Sequence, residues 1–436
     1  MKRIKKRLDP QPSPALVSHR SGAGMPHVLR SAAPDREARA FLRLFNQANR
    51  LRPVEHYSVT EIRQVWRLTA LSLGRRLPVA RVIEQVIDGP AGPIELRVFT
   101  PRKSKQPLPA FLWCHGGGFM VGGLDTADGI CRNIALAGDC ISIAVRYRLT
   151  PEHDLNAGRE DFLAALQWVA QHGATLGIDT TRLAVGGDSA GGNIAAAVAQ
   201  ENRRRGGTPL CLQVLAYPAT DLVEEFPSLT ENAEGFLLTH HLLEHIKQTI
   251  ADAMDRLNPE DPWLSPRRCS ELHGLPPALL VSAGFDPIRD DGLDYAAKLR
   301  AAGVPVELLH YAGQFHGFLN FDAVIGASRD ALQRIGAGLA AAFRESARDL
   351  TLEIADQPST GSAPLAAAGE VATSLLTVWT ASEGWHDTLL RQLSPTVAAA
   401  TRWLLWPCRT YSQLFRRPLG RRLALGAAQQ TYPVGP

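Results

Sequence analysis

The sequence has few cysteines and no long apolar run, and these absences argue against two classes of protein. Six cysteines occur in 436 residues, without C-x-x-C spacing and mostly in apolar stretches. They are typical of reduced core residues rather than of a disulfide framework. No run of 18 apolar residues is present, which argues against a membrane-spanning helix. The basic start leads into Pro-rich polar sequence, so we expect no secretory signal and a cytoplasmic protein.

Acidic residues are scarce at both ends of the chain. Residues 391–436 contain seven Arg and no acid, and residues 1–30 contain seven Lys or Arg against one acid. The two ends contribute +7 and +6 to a formal net charge of +4, so the part between them has a charge of −9. An acidic body does not favour nucleic-acid binding, and we expect none.

Through the middle of the chain, short apolar runs alternate with helical patterns. A hairpin is predicted first, from strands at 79–86 and 94–100. The later strands are predicted at 110–114, 141–145, 183–186, 210–217, 279–283 and 306–310. This alternation predicts an α/β fold, with a mostly parallel central sheet and helices on both faces.

Breaks in this alternation divide the chain into segments. The second of two amphipathic helices near the start begins at Ser58, with Glu61 completing a capping box. The predicted segments are a basic disordered segment 1–34, N-terminal cap helices 35–75, a catalytic domain 76–349 with a cap insertion at 220–262, and a linker with a Trp/Arg-rich extension at 350–436.

A G-x-S-x-G motif at 187–191 separates a predicted buried strand from an Ala-rich helix. Such a sharp strand-to-helix turn strains the backbone of the central Ser189, and the flanking Gly187 and Gly191 leave room for it. The new helix directs its free N–H groups at the same place. The pattern predicts that Ser189 is a nucleophile, although by itself it also suits a small residue in a tight turn.

Two further polar side chains follow later strands. Asp286 lies just beyond the apolar run 279–283, and His316 follows the run 306–310. Open α/β sheets bind their ligands at the carboxyl ends of strands, so both side chains are expected near Ser189.

A run of glycines follows another strand. In the motif H-G-G-G-F, His115 is followed by Gly116, Gly117 and Gly118. Glycines let backbone N–H groups approach a substrate oxygen without obstruction, which favours an oxyanion-binding loop.

Alternatives exist for the acid and for the chemistry. Asp290 and Asp291 are rival acids within the next helix, and Asp286 could instead cap that helix. A separate H-x-x-E-H pattern at 241–245 has the spacing of a zinc protease. It lies in the predicted cap with no marked third ligand, so we expect no metal.

Five motifs together resemble the hormone-sensitive-lipase family of carboxylesterases, in its G-D-S-A-G branch. They are H-G-G-G-F at 115–119, Y-R-L-T-P-E-H at 147–153, G-D-S-A-G-G-N at 187–193, D-P-I-R-D at 286–290 and H-G-F at 316–318. The resemblance spans roughly residues 40–346. It implies an α/β-hydrolase fold with a helical cap built from the N-terminal helices and the 220–262 insertion.

The resemblance also implies roles for individual residues. Ser189 would be the nucleophile, Asp286 the acid and His316 the base, in the chain order of α/β hydrolases. The oxyanion would be bound by the N–H groups of Gly117, Gly118 and Ala190. The remaining motif residues, expected to support this arrangement, are His115, Gly116, Asp188, Gly187 and Gly191.

The resemblance implies hydrolysis of small esters with short- to medium-chain acyl groups, without cofactor. An amidase or a deacetylase of a small metabolite would use the same groups. A non-catalytic receptor is a further alternative, but the plant gibberellin receptor, which resembles this family, lacks the catalytic His that is present here as His316.

The C-terminal extension has a partial helical stripe of large apolar residues. We expect it to dock on the hydrolase, to pair with another copy as a homodimer, to be disordered with local helix, or to contact an anionic lipid surface with its Arg side. The stripe consists of Val378, Trp379, Trp385, Leu389 and Leu393.

Overall fold

The computed structural model of the protein describes residues 16–21, 24–356 and 363–393. Predictions for 1–15, 22–23, 357–362 and 394–436 lie outside the described residues. Within them, the strands are β1 (Leu16–Ser21), β2 (Arg81–Gly89), β3 (Gly92–Thr100), β4 (Leu108–Cys114), β5 (Ile141–Arg146), β6 (Ile178–Asp188), β7 (Leu210–Ala216), β8 (Ala278–Phe285), β9 (Val306–Phe315) and β10 (Leu350–Asp356).

The α-helices alternate with the strands over most of this length. They are α1 (Arg36–Leu51), α2 (Val59–Leu73), α3 (Leu124–Gly138), α4 (Leu155–His172), α5 (Ala190–Arg204), α6 (Pro227–Glu231), α7 (His240–Thr249), α8 (Ala251–Met254), α9 (Arg289–Ala301), α10 (Gly326–Ala342) and α11 (Ala363–Leu393). None of the described helices is long and apolar enough to cross a membrane.

The strands of the described residues form one sheet in the order β1-β10-β9-β8-β7-β6-β4-β5-β3-β2. Neighbours are parallel from β10 through β5, whereas β1, β3 and β2 pair antiparallel at the two edges. The predicted mostly parallel sheet and its hairpin are confirmed. Parallel alignment brings the carboxyl ends of β4, β6, β8 and β9 to the same edge, which is where the predicted site residues follow.

Helices cover both faces of the sheet. Successive residues of a strand point to opposite faces, and Leu112 and Trp113 of β4 enter two different core clusters. One cluster includes side chains of α4, α5 and α9, and the other includes side chains of α1, α3 and α10. Strands β4, β8 and β9 are therefore buried along their whole length.

The predicted cap elements lie in two segments, one between β1 and β2 and the other between β7 and β8. Helix α1 spans the predicted residues, and Ser58 caps α2 in the predicted box with Glu61. The segment between β7 and β8 contains α6, α7 and α8, and Thr239 caps α7 through its side chain. No residue of α7 is buried, although Ile250 just after it is. Helix α7 thus lies on the hydrolase body as a surface layer.

Two predictions at the chain ends are wrong. The segment 1–34 is not disordered throughout, because β1 pairs with β10. The catalytic sheet does not end at 349, because β10 pairs with β9 and precedes α11. Both strands are held by partners far away in the sequence, which local composition does not reveal.

Candidate active site

Ser189 occupies the turn between β6 and α5 in a strained backbone conformation. Its φ of 54° and ψ of −121° lie where non-glycine residues are uncommon. A Cβ atom on Gly187 would lie 2.3 Å from the carbonyl oxygen of Gly191, and one on Gly191 would lie 2.1 Å from the carbonyl oxygen of Cys114. Only glycine therefore suits both positions, and the turn holds Ser189 at the carboxyl end of the sheet.

Ser189, His316 and Asp286 are hydrogen-bonded in series. Ser189 Oγ lies 2.8 Å from His316 Nε2, and His316 Nδ1 lies 2.8 Å from Asp286 Oδ2. The carboxyl of Asp286 and the imidazole of His316 are both buried. A carboxylate can only accept hydrogen bonds, so Nδ1 bears the proton and Nε2 accepts from the serine hydroxyl. This tautomer leaves Nε2 free to take up the proton of Ser189.

The rival carboxylates point elsewhere. Asp290 accepts from the backbone N–H of Ser228 at 2.9 Å and from Arg289 Nε at 2.7 Å. Asp291 accepts from the backbone N–H of Thr220 at 2.6 Å, and burial raises the pKa of Asp291 to about 7. These two side chains connect α9 to the cap segment, whereas Asp286 directly follows β8 and faces His316.

The glycine loop after β4 adopts a conformation that requires glycine. Gly117 and Gly118 have φ of 126° and 58°, and a Cβ on Gly117 would lie 2.2 Å from the carbonyl oxygen of Val121. Ala190 is the first residue of α5, so its N–H has no partner within the helix. Backbone donors are therefore available from the loop and from the helix start.

Asp188 connects the serine turn to the glycine loop. Its Oδ1 accepts the backbone N–H of Gly116 at 2.8 Å. The side chain is buried, and desolvation raises the pKa of Asp188 to about 6. Asp188 directly precedes Ser189, so this hydrogen bond fixes the position of the glycine loop relative to the serine.

His115 is a buried structural group behind the loop. Its Nδ1 donates to the carbonyl oxygen of Gly116 at 2.9 Å, and its ring stacks on Tyr147 with centroids 4.3 Å apart. Tyr147 also donates its hydroxyl to the carbonyl oxygen of His115 at 2.7 Å. Burial lowers the pKa of His115 to about 4, so the ring is neutral near pH 7.

Three residues near the site were missed from the sequence. The Asn232 amide donates to the carbonyl oxygen of Asp286 at 3.0 Å, and the ring of Tyr217 lies 4.9 Å from that of His316. Arg63 of α2 donates to the carbonyl oxygens of Met120 at 2.7 Å and of Thr150 at 2.8 Å. None of them belongs to a local motif, and each contact spans more than fifty residues of chain.

The H-x-x-E-H pattern lies on α7, away from the buried groups. Glu244 forms an ion pair with Lys247 at 2.9 Å. Among the residues that the structure describes, no group of three or more His, Cys, Asp or Glu is arranged to hold a metal ion. The pattern is accounted for as part of an exposed amphipathic helix.

Comparison with known proteins places this geometry in a family. A model described as alpha/beta hydrolase fold matches residues 111–320. Esterase LipI of Mycobacterium tuberculosis is 44% identical over 259 residues, which are 59% of this chain and 81% of the relative. An arylesterase of Saccharolobus solfataricus is 32% identical over 316 residues, covering 71% of this chain and 99% of the relative.

Solved structures agree with these relatives. A thermostable esterase from Pseudomonas putida has a TM-score of 0.68 and 34% identity, covering 72% of this chain and 98% of that one. A metagenomic α/β hydrolase from Lake Arreo has a TM-score of 0.68 and 35% identity, with 71% and 98% covered. With its parallel sheet, its serine turn and these relatives, the chain belongs to the carboxylesterases of the hormone-sensitive-lipase family, within the α/β-hydrolase superfamily.

Proposed function

We propose that this carboxylesterase hydrolyses short- to medium-chain acyl esters through an acyl-enzyme formed on Ser189. The observation behind the proposal is the series of hydrogen bonds from Ser189 Oγ through His316 to Asp286. A serine hydroxyl is a weak nucleophile unless a neighbouring base removes its proton as it attacks. The strained turn presents this hydroxyl at the end of the sheet, beside the glycine loop.

The proposed reaction has two halves. His316 Nε2 takes the proton of Ser189 while Oγ attacks the ester carbonyl, and Asp286 stabilises the imidazolium through Nδ1. His316 then protonates the leaving alcohol. Water attacks the acyl-enzyme with His316 again as base, which releases the acid and restores Ser189.

Backbone donors would stabilise the negative oxygen formed in each half. The N–H groups of Gly117, Gly118 and Ala190 converge on the space beside Ser189 in the proposed arrangement. Such preorganised donors reduce the cost of reorganisation when charge develops, and loss of one typically costs 10²–10³ in kcat.

The position of α7 over the glycine loop favours substrates with small acyl groups. Ile246 of α7 lies over the glycine loop, with its Cδ1 3.1 Å from the place where a Cβ on Gly118 would be. An ethyl acetate hydrolase of Pseudomonas putida is 38% identical over 243 residues, which are 55% of this chain and 74% of that protein. We infer acyl groups that fit beneath Ile246.

The proposal includes a cytoplasmic location. The five cysteines in the described part of the chain are unpaired, as expected in a reducing compartment. A homodimer and the absence of nucleic-acid binding remain predictions.

Replacement of Ser189 tests the proposal. Ser189→Ala should lower turnover of p-nitrophenyl acetate and butyrate by about 10⁶ and abolish labelling by a fluorophosphonate probe. The exposed Ser104→Ala is the matched control and should leave both unchanged. Matched anilides would measure any amidase activity. Labelling at another serine, with hydrolysis retained in Ser189→Ala, would overturn the assignment.

A further inference from the structure

On the side of α11 that packs against the hydrolase, buried side chains are polar and the helix backbone lies close to α2. Thr377 and Thr388 are buried, and Ser72 of α2 donates its hydroxyl to Thr388 Oγ1 at 3.1 Å. A Cβ on Gly384 would lie 2.0 Å from the carbonyl oxygen of Ser72, so the two backbones are in contact there. Small and hydroxyl side chains thus occupy the inner side of this helix.

The opposite side of α11 is apolar and exposed. The exposed fractions are 60% for Val371, 65% for Leu375, 43% for Val378 and 49% for Trp379. Their spacing of four, three and one residues keeps them on one side of a helix. These four residues are called the outer face of α11 below. A surface helix of a globular protein normally has the reverse arrangement, with its apolar side inward.

Two parts of the chain that adjoin α11, one by packing and one in sequence, are rich in arginine. Helix α11 packs against α1, which contains Arg36, Arg39, Arg43 and Arg50 against a single acid, Glu37. The seven Arg of 391–436 begin within the last turn of α11, and that segment contains no acid. An apolar strip is therefore combined with positive charge in adjoining parts of the chain.

We propose that the outer face of α11 docks on an anionic lipid surface. Exposed Trp and Leu side chains can enter the boundary between headgroups and acyl chains, while nearby Arg side chains meet anionic headgroups. A second copy is a poorer occupant, because it would bring the same arginines face to face.

In this arrangement α2 would lie across α11 from the lipid, because Ser72 of α2 contacts the inner side of the helix. The inference does not depend on the proposed catalytic roles. The Ser189→Ala variant should bind lipid like the natural chain, so failure of either proposal can be distinguished.

Vesicle co-sedimentation of the full chain tests the proposal. The natural chain should bind vesicles of phosphatidylcholine mixed with phosphatidylglycerol, bind pure phosphatidylcholine much less, and lose binding as salt is added. The double variant Leu375→Ser/Trp379→Ser should lower the partition coefficient about tenfold or more. Val86→Ser, an exposed apolar residue on β2 at the far edge of the sheet, is the matched control and should bind normally.

Hydrolysis of a water-soluble ester serves as the folding control, and it should be the same in the natural chain, Leu375→Ser/Trp379→Ser and Val86→Ser. The proposal is overturned if the natural chain stays in the supernatant with anionic vesicles, or if Leu375→Ser/Trp379→Ser binds them equally well. A concentration-dependent dimer in sedimentation velocity, lost in the double variant without any lipid binding by the natural chain, would instead identify a second copy as the occupant.

Discussion

At the scale of single residues, the environment of each carboxyl group separates a candidate acid from a structural one. Asp286, Asp290 and Asp291 lie within six residues of chain, yet Asp286 alone of the three is hydrogen-bonded to His316. Its second oxygen, Oδ1, accepts the backbone N–H of Ile288 at 2.9 Å, which fixes the carboxylate plane. The position at the end of β8, rather than residue type, determines the difference.

This difference predicts unequal effects of two conservative substitutions. Asp286→Asn should lower kcat by about 10⁴, because an amide cannot hold the imidazole in the required tautomer. Asp290→Asn should lower it by less than about tenfold, because its partners are in α9 and the cap segment. Steady-state kinetics on one soluble ester would measure both. Equal losses, or a larger loss for Asp290→Asn, would contradict the assignment.

The raised pKa of Asp188 leads us to expect that the stability of the protein depends on pH. Its pKa is raised by burial from 3.8 to about 6, so the folded protein binds this proton more tightly than the unfolded chain. Ionisation of Asp188 therefore lowers the free energy of unfolding as pH rises from about 4 to about 6, and the loss is complete above that range.

The variant Asp188→Asn removes this titration while its amide oxygen can still accept from Gly116. The free energy of unfolding of the variant minus that of the natural chain should rise by roughly 2–3 kcal/mol between about pH 4 and pH 7. Urea denaturation at several pH values would measure it. Parallel curves for the two proteins would show that Asp188 does not titrate as inferred.

At the scale of helices and strands, the sequence predicted those elements whose signals are local. Helix α1 and the Ser58 cap of α2 depend on residues within one or two turns, and both were located correctly. Strands β1 and β10 were missed because they lie outside the region of alternating apolar runs and helical patterns from which the other strands were predicted. Strand ends also placed Ser189, Asp286 and His316 at one edge, whereas the contacts of Arg63 and Asn232 required the packed cap.

The hydrogen bonds of Arg63 lead us to expect that α2 affects catalysis through the glycine loop. Its guanidinium holds the carbonyl oxygens of Met120 and Thr150 and pairs with Glu152 at 2.7 Å. Arg63→Met should lower the free energy of unfolding by about 1–3 kcal/mol and kcat by about tenfold. The segment after the glycine loop would no longer be held by the guanidinium of Arg63.

The matched control is Arg52→Met, which removes an exposed pair with Glu61. It should change the thermal unfolding temperature less than Arg63→Met does and leave kcat unchanged. Thermal unfolding and ester kinetics would compare the two variants. Equal kinetics for both would show that the glycine loop keeps its position without α2.

At the scale of the whole molecule, strands from distant parts of the chain, β1 and β10, extend the sheet beyond β9. Strand β10 lies between β9 and β1, and β9 ends at the residue before His316. The backbone N–H groups of Ser31 and Asp35 donate to the carbonyl oxygens of Ala312 and Gly313, at 3.0 Å and 2.9 Å. Strand β10 and the segment just before α1 are therefore both bound to β9, which ends directly before His316.

This arrangement predicts different outcomes for two truncations. A chain ending at 349 loses β10, whose Thr351, Leu352 and Ile354 are buried, and exposes the edge of β9. The lost burial of Leu352 and Ile354 alone is worth about 3–6 kcal/mol, a large part of the net stability of a typical domain. This chain should lose soluble yield and hydrolysis. Soluble yield, thermal unfolding and kinetics on a water-soluble ester would measure the outcome.

A chain ending at 362 keeps β10 and removes α11 with everything after it. It should remain folded and hydrolyse soluble esters at close to the full rate, because the described contacts of α11 with the body are made by small and hydroxyl side chains. It should also lose any binding to anionic vesicles. If the chain ending at 362 were inactive, α11 would be an integral part of the fold. If the chain ending at 349 were active, β10 would not be needed to support His316.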